Sequence, residues 1–200
     1  MDVLDHVARR ILDDDCALVG IDGPDASGKT IFADRLAGRL ERPVVRVSVD
    51  DFHHKREVRY QLGRDSPEGF WSHAFDYDRL RSDVIEPFRS SRRVRTKAHD
   101  LATDANLSPE PITAPEGAVL VVDGLFLHRD ELRAAWDLTV FLDVPFAVTA
   151  RRMAGRDGAG LDLRRYGEAQ RIYFATCAPH DRASILIDNT DYDAPRIRRA

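Results

Sequence analysis

Ala17-Leu18-Val19-Gly20-Ile21-Asp22-Gly23-Pro24-Asp25-Ala26-Ser27-Gly28-Lys29-Thr30 is the stretch that decides the fold. Residues 17–22 form a short apolar run of the buried-strand type. Residues 23–30 then fit G-x-x-x-x-G-K-[ST], and from Lys29 onward Ile31, Phe32, Leu36 and Leu40 recur at helical spacing until Pro43. Strand, glycine loop and helix in this order are the setting in which the motif binds phosphate. Glycines let the backbone curl so that successive N–H groups face phosphate oxygens, and the helix adds its positive end. On this reading Gly23, Asp25, Ala26, Ser27, Gly28, Lys29, Thr30 and Ile31 surround a nucleotide's phosphates. Lys29 reaches the terminal phosphates and the Thr30 hydroxyl holds Mg²⁺. The plain alternative is a glycine-containing turn. Against it, Lys29 is one of three lysines among 27 arginines. Asp25 is an oddity, because a carboxylate inside such a cup repels its ligand unless it turns away.

Working outward, Val44 to Val49 closes a βαβ unit, and strand-like runs return at 118–122, 138–142 and 184–187. Helical periodicity over 3–12, 78–88, 145–156 and 163–176 separates them. The pattern predicts an α/β fold of the P-loop NTPase type, a parallel sheet of about five strands covered by helices on both faces. Residues 89–117, polar and rich in proline, have no helical period and read as an inserted β-hairpin or flap. A length of 200 residues bounds the chain to one domain, 1–200, with the flap near 89–117 and a lid near 151–165. Hydrophobic residues at 43%, charged residues at 32% and a net charge of −4 describe a soluble globular protein. They exclude a nucleic-acid binder that works by general positive charge. Cys16 and Cys177 lie far apart with no histidine cluster beside them, which indicates neither a disulfide framework nor a zinc site. No apolar run is long enough to span a membrane, and the acidic start lacks a signal-peptide layout. The expected location is the cytoplasm, with no membrane or nucleic-acid partner.

In an open parallel sheet the ligand lies beyond the carboxyl ends of the strands. Asp50-Asp51-Phe52-His53 follows the second strand, and Asp123-Gly124 follows the third. A carboxylate in such a place orients Mg²⁺ or takes a proton from an attacking hydroxyl. Asp50 is read as the base at the edge of the metal site, and Asp123 as a metal-side group, joining Thr30. The alternative is that both aspartates cap the next turn. Arg152 and Arg156, on the helix after strand four and near Gly155, Gly158 and Gly160, are candidates to close over the transferring phosphoryl group. A solvated helix face is the rival reading.

Taken together, Ile21 to Thr30, Val47 to Phe52, Ala74-Phe75-Asp76, His99-Asp100, Val121 to Gly124 and Phe141 to Arg156 resemble the uridine kinase family of P-loop nucleoside kinases. The likeness runs from about Leu18 to about Asp188. It implies ATP-dependent phosphorylation of a nucleoside 5′-hydroxyl, with uridine or cytidine as acceptor, ATP and Mg²⁺ as cofactors, and assembly into oligomers as an open option. It puts Asp50 in the place of the catalytic base, Asp123 in that of an acidic residue near the metal, and Arg152 and Arg156 among the lid arginines. The inserted segment corresponds to the hairpin that closes the nucleoside pocket. Where the family has tyrosines, this chain has His53 and the pair His99-Asp100, and Glu68 is the nearest match to the acidic ribose-binding residue. Phe70, Trp71, Phe75 and Tyr77 either line the pocket or pack the core. Other acceptors, such as nicotinamide riboside, pantothenate or ribulose phosphate, would keep the same loop. So would an NTPase switch without an acceptor, although Asp188-Asn189-Thr190-Asp191 lacks the lysine of a guanine-specific signature.

Overall fold

A computed structural model describes residues 2–157 and 163–200. Ten strands run in chain order: β1 (Leu18–Asp22), β2 (Val44–Ser48), β3 (Arg93–Val94), β4 (His99–Asp100), β5 (Ala105–Asn106), β6 (Ile112–Thr113), β7 (Val119–Asp123), β8 (Leu138–Asp143), β9 (Ile185–Asp188) and β10 (Arg196–Arg199). The longer helices are α1 (Val3–Asp13), α2 (Lys29–Ala37), α8 (Phe146–Asp157) and α9 (Leu163–Cys177). Between them lie the short helices α3 (Arg56–Arg59), α4 (Pro67–His73), α5 (Tyr77–Leu80), α6 (Glu86–Ser90), α7 (Asp130–Arg133) and α10 (Pro179–Arg182). Among the described residues no helix is long and apolar enough to cross a membrane.

The main sheet has the order β10-β9-β8-β1-β7-β2. All pairs are parallel except β9 with β10. Successive side chains of a strand point to opposite faces, and here both faces are covered. Val19, Ile21, Val119, Val121 and Val140 meet α1 and α2 through Val7, Ile11, Phe32 and Leu36. Leu18, Val45, Val47, Leu120 and Val122 pack with Phe52, Phe70, Phe75, Phe88, Phe126 and Tyr173 on the other side. This double burial is why the central strands β1, β7 and β8 are apolar runs with no alternation.

The expected count of about five strands becomes six, because β10 adds an antiparallel edge. Its sequence, Arg196-Ile197-Arg198-Arg199, is exposed and basic, so it carries no strand-like apolar signal. Charge on an edge strand discourages pairing with other chains. Arg198 ties β10 down, at 2.6 Å from Asp188 and 3.6 Å from Asp143.

The helical reading of 78–88 appears as α5, a π turn over Arg81–Ile85, and α6. Pro87 has no N–H for the Asp83 carbonyl one turn earlier. That carbonyl accepts instead from the Arg95 N–H at 2.9 Å, which fastens the start of the inserted segment. The insertion itself is two short antiparallel ladders, β3 with β6 and β4 with β5. A Lys97–Asp51 ion pair at 3.1 Å, together with the Ala98 N–H to Asp51 carbonyl bond at 2.9 Å, brings it to the carboxyl end of β2.

The Arg198 contact holds the Asp188 carboxyl at about 2, below the ordinary aspartate value of 3.8. A carboxyl depressed in the folded state adds stability that is complete above the unfolded value and is lost as pH falls through the folded one. Arg198→Ala therefore removes part of the wild-type loss of stability between about pH 4 and pH 2. Both partners are partly exposed, so solvent screens the pair and the difference is small, read from urea midpoints along that pH series.

Candidate active site

The glycine loop curls between β1 and α2. Ala26 has φ 53° and Gly28 φ 90°, both left-handed. A Cβ on Gly28 would lie 2.4 Å from the Tyr192 ring, so packing as well as backbone angle requires glycine there. The loop is clamped from outside by the segment after β9. The Asn189 side-chain amide donates to the Ser27 carbonyl at 2.7 Å, and the Tyr192 hydroxyl donates to the Ala26 carbonyl at 2.9 Å. Arg152 stacks on Tyr192, 3.7 Å from the ring centroid, and donates to the Ala26 carbonyl at 3.2 Å and the Thr190 carbonyl at 2.8 Å. The Lys29 ammonium donates to the carbonyls of Gly23 and Pro24 at 3.1 and 2.8 Å.

Parallel register brings the carboxyl ends of three strands level, with Asp123 opposite both Ile21 and Ser48. The buried Asp123 carboxylate accepts from the Thr30 hydroxyl at 2.7 Å through one oxygen and from Arg46 at 2.9 Å through the other. Gly124 follows it because a Cβ there would sit 2.3 Å from Val49 Cβ. Asp50 lies in the 3₁₀ turn Val49–Phe52 that ends β2, where Ser48 Oγ accepts the Asp50 N–H at 3.3 Å.

Two cavities open at this edge. One, of about 410 Å³, is lined by Gly28, Lys29, Thr30, Asp123, Arg152 and Tyr192. The other, of about 300 Å³, has aromatic walls from His53, Tyr60, Phe70, Phe75 and Tyr166. Asp25 and Asp50 line both. His53 donates from Nδ1 to the Asp50 carbonyl at 2.7 Å, and burial lowers its pKa below the usual imidazole value, which favours the neutral ring. The Asp25 N–H is held by Gln170 Oε1 of α9 at 3.0 Å.

Asp50, His53, Asp123, Arg152 and the loop residues Gly23 to Ile31 thus gather at one edge of the sheet. Three other expected substrate contacts do not line the aromatic cavity. Glu68 is exposed in the first turn of α4 and accepts from the Ser66 hydroxyl at 3.2 Å. Asp100 caps a turn, accepting the N–H groups of Ala102 and Thr103 at 2.9 and 3.1 Å. His99 is buried within the insertion, with Nε2 3.2 Å from Asp104. Phe70 and Phe75 serve both readings, since they line the cavity and belong to the core. Tyr77 is core, its hydroxyl donating to the Leu125 carbonyl at 3.0 Å, and Trp71 packs against Phe126 and Tyr173. The Arg156 side chain and the middle of the expected lid, 158–162, lie outside the described residues.

Sequence reasoning missed Asp22. The side chain is fully buried where β1 enters the loop. It accepts from the Gly23 N–H at 2.7 Å, the Leu127 N–H at 2.9 Å, His128 Nδ1 at 2.8 Å and the Tyr173 hydroxyl at 2.5 Å. Burial and the adjacent Asp22 push the Tyr173 hydroxyl well above the ordinary tyrosine range, so it stays protonated and donates. It also missed Tyr192 and, on α9, Tyr166 and Gln170, whose signal is only an aromatic or polar side chain beside arginines; Arg165 falls at the end of the expected lid, and it lines the aromatic cavity.

A parallel sheet of this order, a lysine-bearing loop at a helix start and carboxylates at the neighbouring strand ends define a P-loop phosphotransferase. The profile described as Phosphoribulokinase / Uridine kinase family matches residues 18–160, and the chain belongs to that family. A uridine kinase of Schizosaccharomyces pombe is 31% identical over 148 residues, 70% of this chain and 31% of the relative. A uridine kinase of Proteus mirabilis is 27% identical over 176 residues, 80% of this chain and 79% of the relative. The chain thus spans about a third of the first relative's length and about four-fifths of the second's. Among solved structures, one described as a possible uridine kinase from Bacillus stearothermophilus superposes with a TM-score of 0.75 at 24% identity. The match covers 92% of this chain and 96% of that one.

Tyr173→Phe leaves the Asp22 carboxylate one hydroxyl donor short in a buried site. The expected cost is about 1.5–3 kcal/mol, measured as a fall in the urea unfolding midpoint.

Proposed function

We propose that the protein transfers the γ-phosphate of ATP to a hydroxyl of a small acceptor of the nucleoside type, the 5′-hydroxyl, with uridine and cytidine as the reference acceptors. The observation that carries this reading is that Asp50 lines both cavities. One cavity is walled by the phosphate loop and the other by aromatic rings. A phosphoryl group passing between them travels past one carboxylate, and in-line transfer needs little beyond such positioning and charge neutralisation.

The Thr30 hydroxyl and the Asp123 carboxylate, 2.7 Å apart, are hard oxygen donors of the kind Mg²⁺ takes in small number alongside substrate phosphates. They would hold that ion, and when bound it neutralises charge on the β- and γ-phosphates. The amides of the loop and the first turn of α2 bind phosphate oxygens, and Lys29 supplies the mobile cation. Arg152 and Tyr192 offer a stacked cation and ring for the nucleotide's base. Asp50 takes the proton of the attacking hydroxyl, while His53, neutral at pH 7, packs on Phe75 with ring centroids 4.5 Å apart and closes the acceptor side. The inserted ladders act as the flap beside that pocket. Both cysteines are buried free thiols, in keeping with a reducing cytoplasm. Glu68, His99 and Asp100 have no part in this proposal.

A coupled assay of ADP release across a panel of nucleosides tests the reading. ADP formed only when an acceptor is present supports it, and acceptor-independent release makes the protein an NTPase switch instead. With an acceptor in hand, Asp50→Asn keeps ATP binding near wild type and lowers turnover by about 10²-fold or more, measured by calorimetry and by initial rates. Lys29→Ala weakens both ATP binding and turnover, because the same ammonium meets ground-state and developing charge. Wild-type values for both would remove the loop from its role.

A further inference from the structure

Arg165, on α9, lines the same aromatic cavity as Asp50. It is 8% exposed, and its Nε is buried with no hydrogen-bond partner. Three ring faces surround its guanidinium: Phe70 at 5.0 Å, Tyr60 at 5.4 Å and Tyr166 at 5.7 Å. Such rings attract a cation, yet they take up none of its in-plane N–H donors as an oxygen does. Buried charges are ordinarily paired, and even part-buried arginines of this chain have carboxylate partners: Arg46 meets Asp34 and Asp123, Arg79 meets Asp83, and Arg182 meets Asp130. A second arginine of the cavity, Arg59, is equally buried. Its Nη2 is 3.4 Å from Asp104 and its Nε is likewise without a partner. Two buried guanidinium groups therefore line a cavity sized for a small molecule, one of them with no carboxylate in ion-pair range among the described residues.

We infer that the acceptor carries, besides the hydroxyl that is phosphorylated, an anionic oxygen group, a carboxylate or a phosphate, which Arg165 binds. The inference rests on the acceptor-cavity reading of the proposed function and narrows it. Guanidinium is the side chain whose planar fork matches such groups. An anion here gives the buried cation a partner that none of the described residues supplies to its Nε. A neutral acceptor leaves that charge uncompensated, so Arg165 discriminates among acceptors that fit equally well by shape.

The test uses matched acceptors that differ only in charge: uridine against its 6-carboxylate, pantothenol against pantothenate, and a pentulose against its 5-phosphate. Two readouts are taken, acceptor-dependent ADP release and calorimetric binding of each acceptor alone to the intact protein. The expected result is that one anionic member exceeds its neutral twin by about tenfold or more in kcat/KM and in affinity, as losing a charge-assisted hydrogen bond predicts. The pair that responds tells carboxylate from phosphate. Arg165→Met, which keeps an apolar side chain among the rings, brings that ratio to about one and leaves the KM for ATP unchanged. Arg165→Lys keeps the direction of preference at reduced size and serves if the methionine variant does not fold. Equal binding of charged and neutral members in every pair, or a preference that survives Arg165→Met, overturns the inference even if uridine is phosphorylated. An anion bound through Arg165 with no ADP released from any acceptor overturns the kinase reading, and with it the assignment of that anion to a phosphoryl acceptor.

Discussion

The site depends on one buried carboxylate. Asp22 stands at the end of β1, and its four donors come from three parts of the chain: the Gly23 amide of the phosphate loop, Leu127 and His128 after β7, and Tyr173 of α9. Burying a carboxylate costs several kcal/mol unless hydrogen bonds satisfy it. The cost is offset only when all three parts are in place. The start of the loop, the approach to α7 and the wall of the acceptor cavity are thereby set by one group. Tyr173 and Gln170, one turn of α9 apart, then divide the work: the tyrosine anchors the helix to Asp22 and the glutamine holds the Asp25 amide. The loop's curvature is accordingly coupled to the helix that carries Arg165.

The phosphate loop was legible because its chemistry is contiguous. Eight consecutive residues hold the glycines, the lysine and the threonine, and flanking periodicities identify the strand and the helix. Asp50 and Asp123 were legible for a topological reason, since a parallel sheet gathers the residues at its strand ends along one edge. The acceptor cavity was less so. Its walls come from α3, α4, α9 and the turn after β2, and a helical period says which residues share a face without saying what that face meets. Arg165 and Tyr166 therefore read as members of an arginine-rich helix. Glu68 and His99 were drawn in by order and spacing alone, which do not report where a short helix or a two-residue strand aims its side chains. The β10 edge was hidden for another reason: its charge serves solubility at the sheet margin and erases the pattern by which strands are recognised.

The two clusters of charge at the site have different characters, and on the proposed function the difference separates donor from acceptor. On the donor side the fixed ions are mutually satisfied: Asp123 is shared by Thr30 and Arg46, and Arg152 lies against backbone carbonyls and the Tyr192 ring. Lys29, one of few lysines, alone is a compact ammonium on a flexible stem, suited to follow a phosphate whose charge moves. In the proposed acceptor cavity a planar cation, Arg165, lies among rings. A mobile charge suits a group that changes during reaction, and a fixed one suits a group that only has to be recognised. Asp50 lines both cavities, which on the proposed function is where a proton leaves the acceptor as the phosphoryl group arrives.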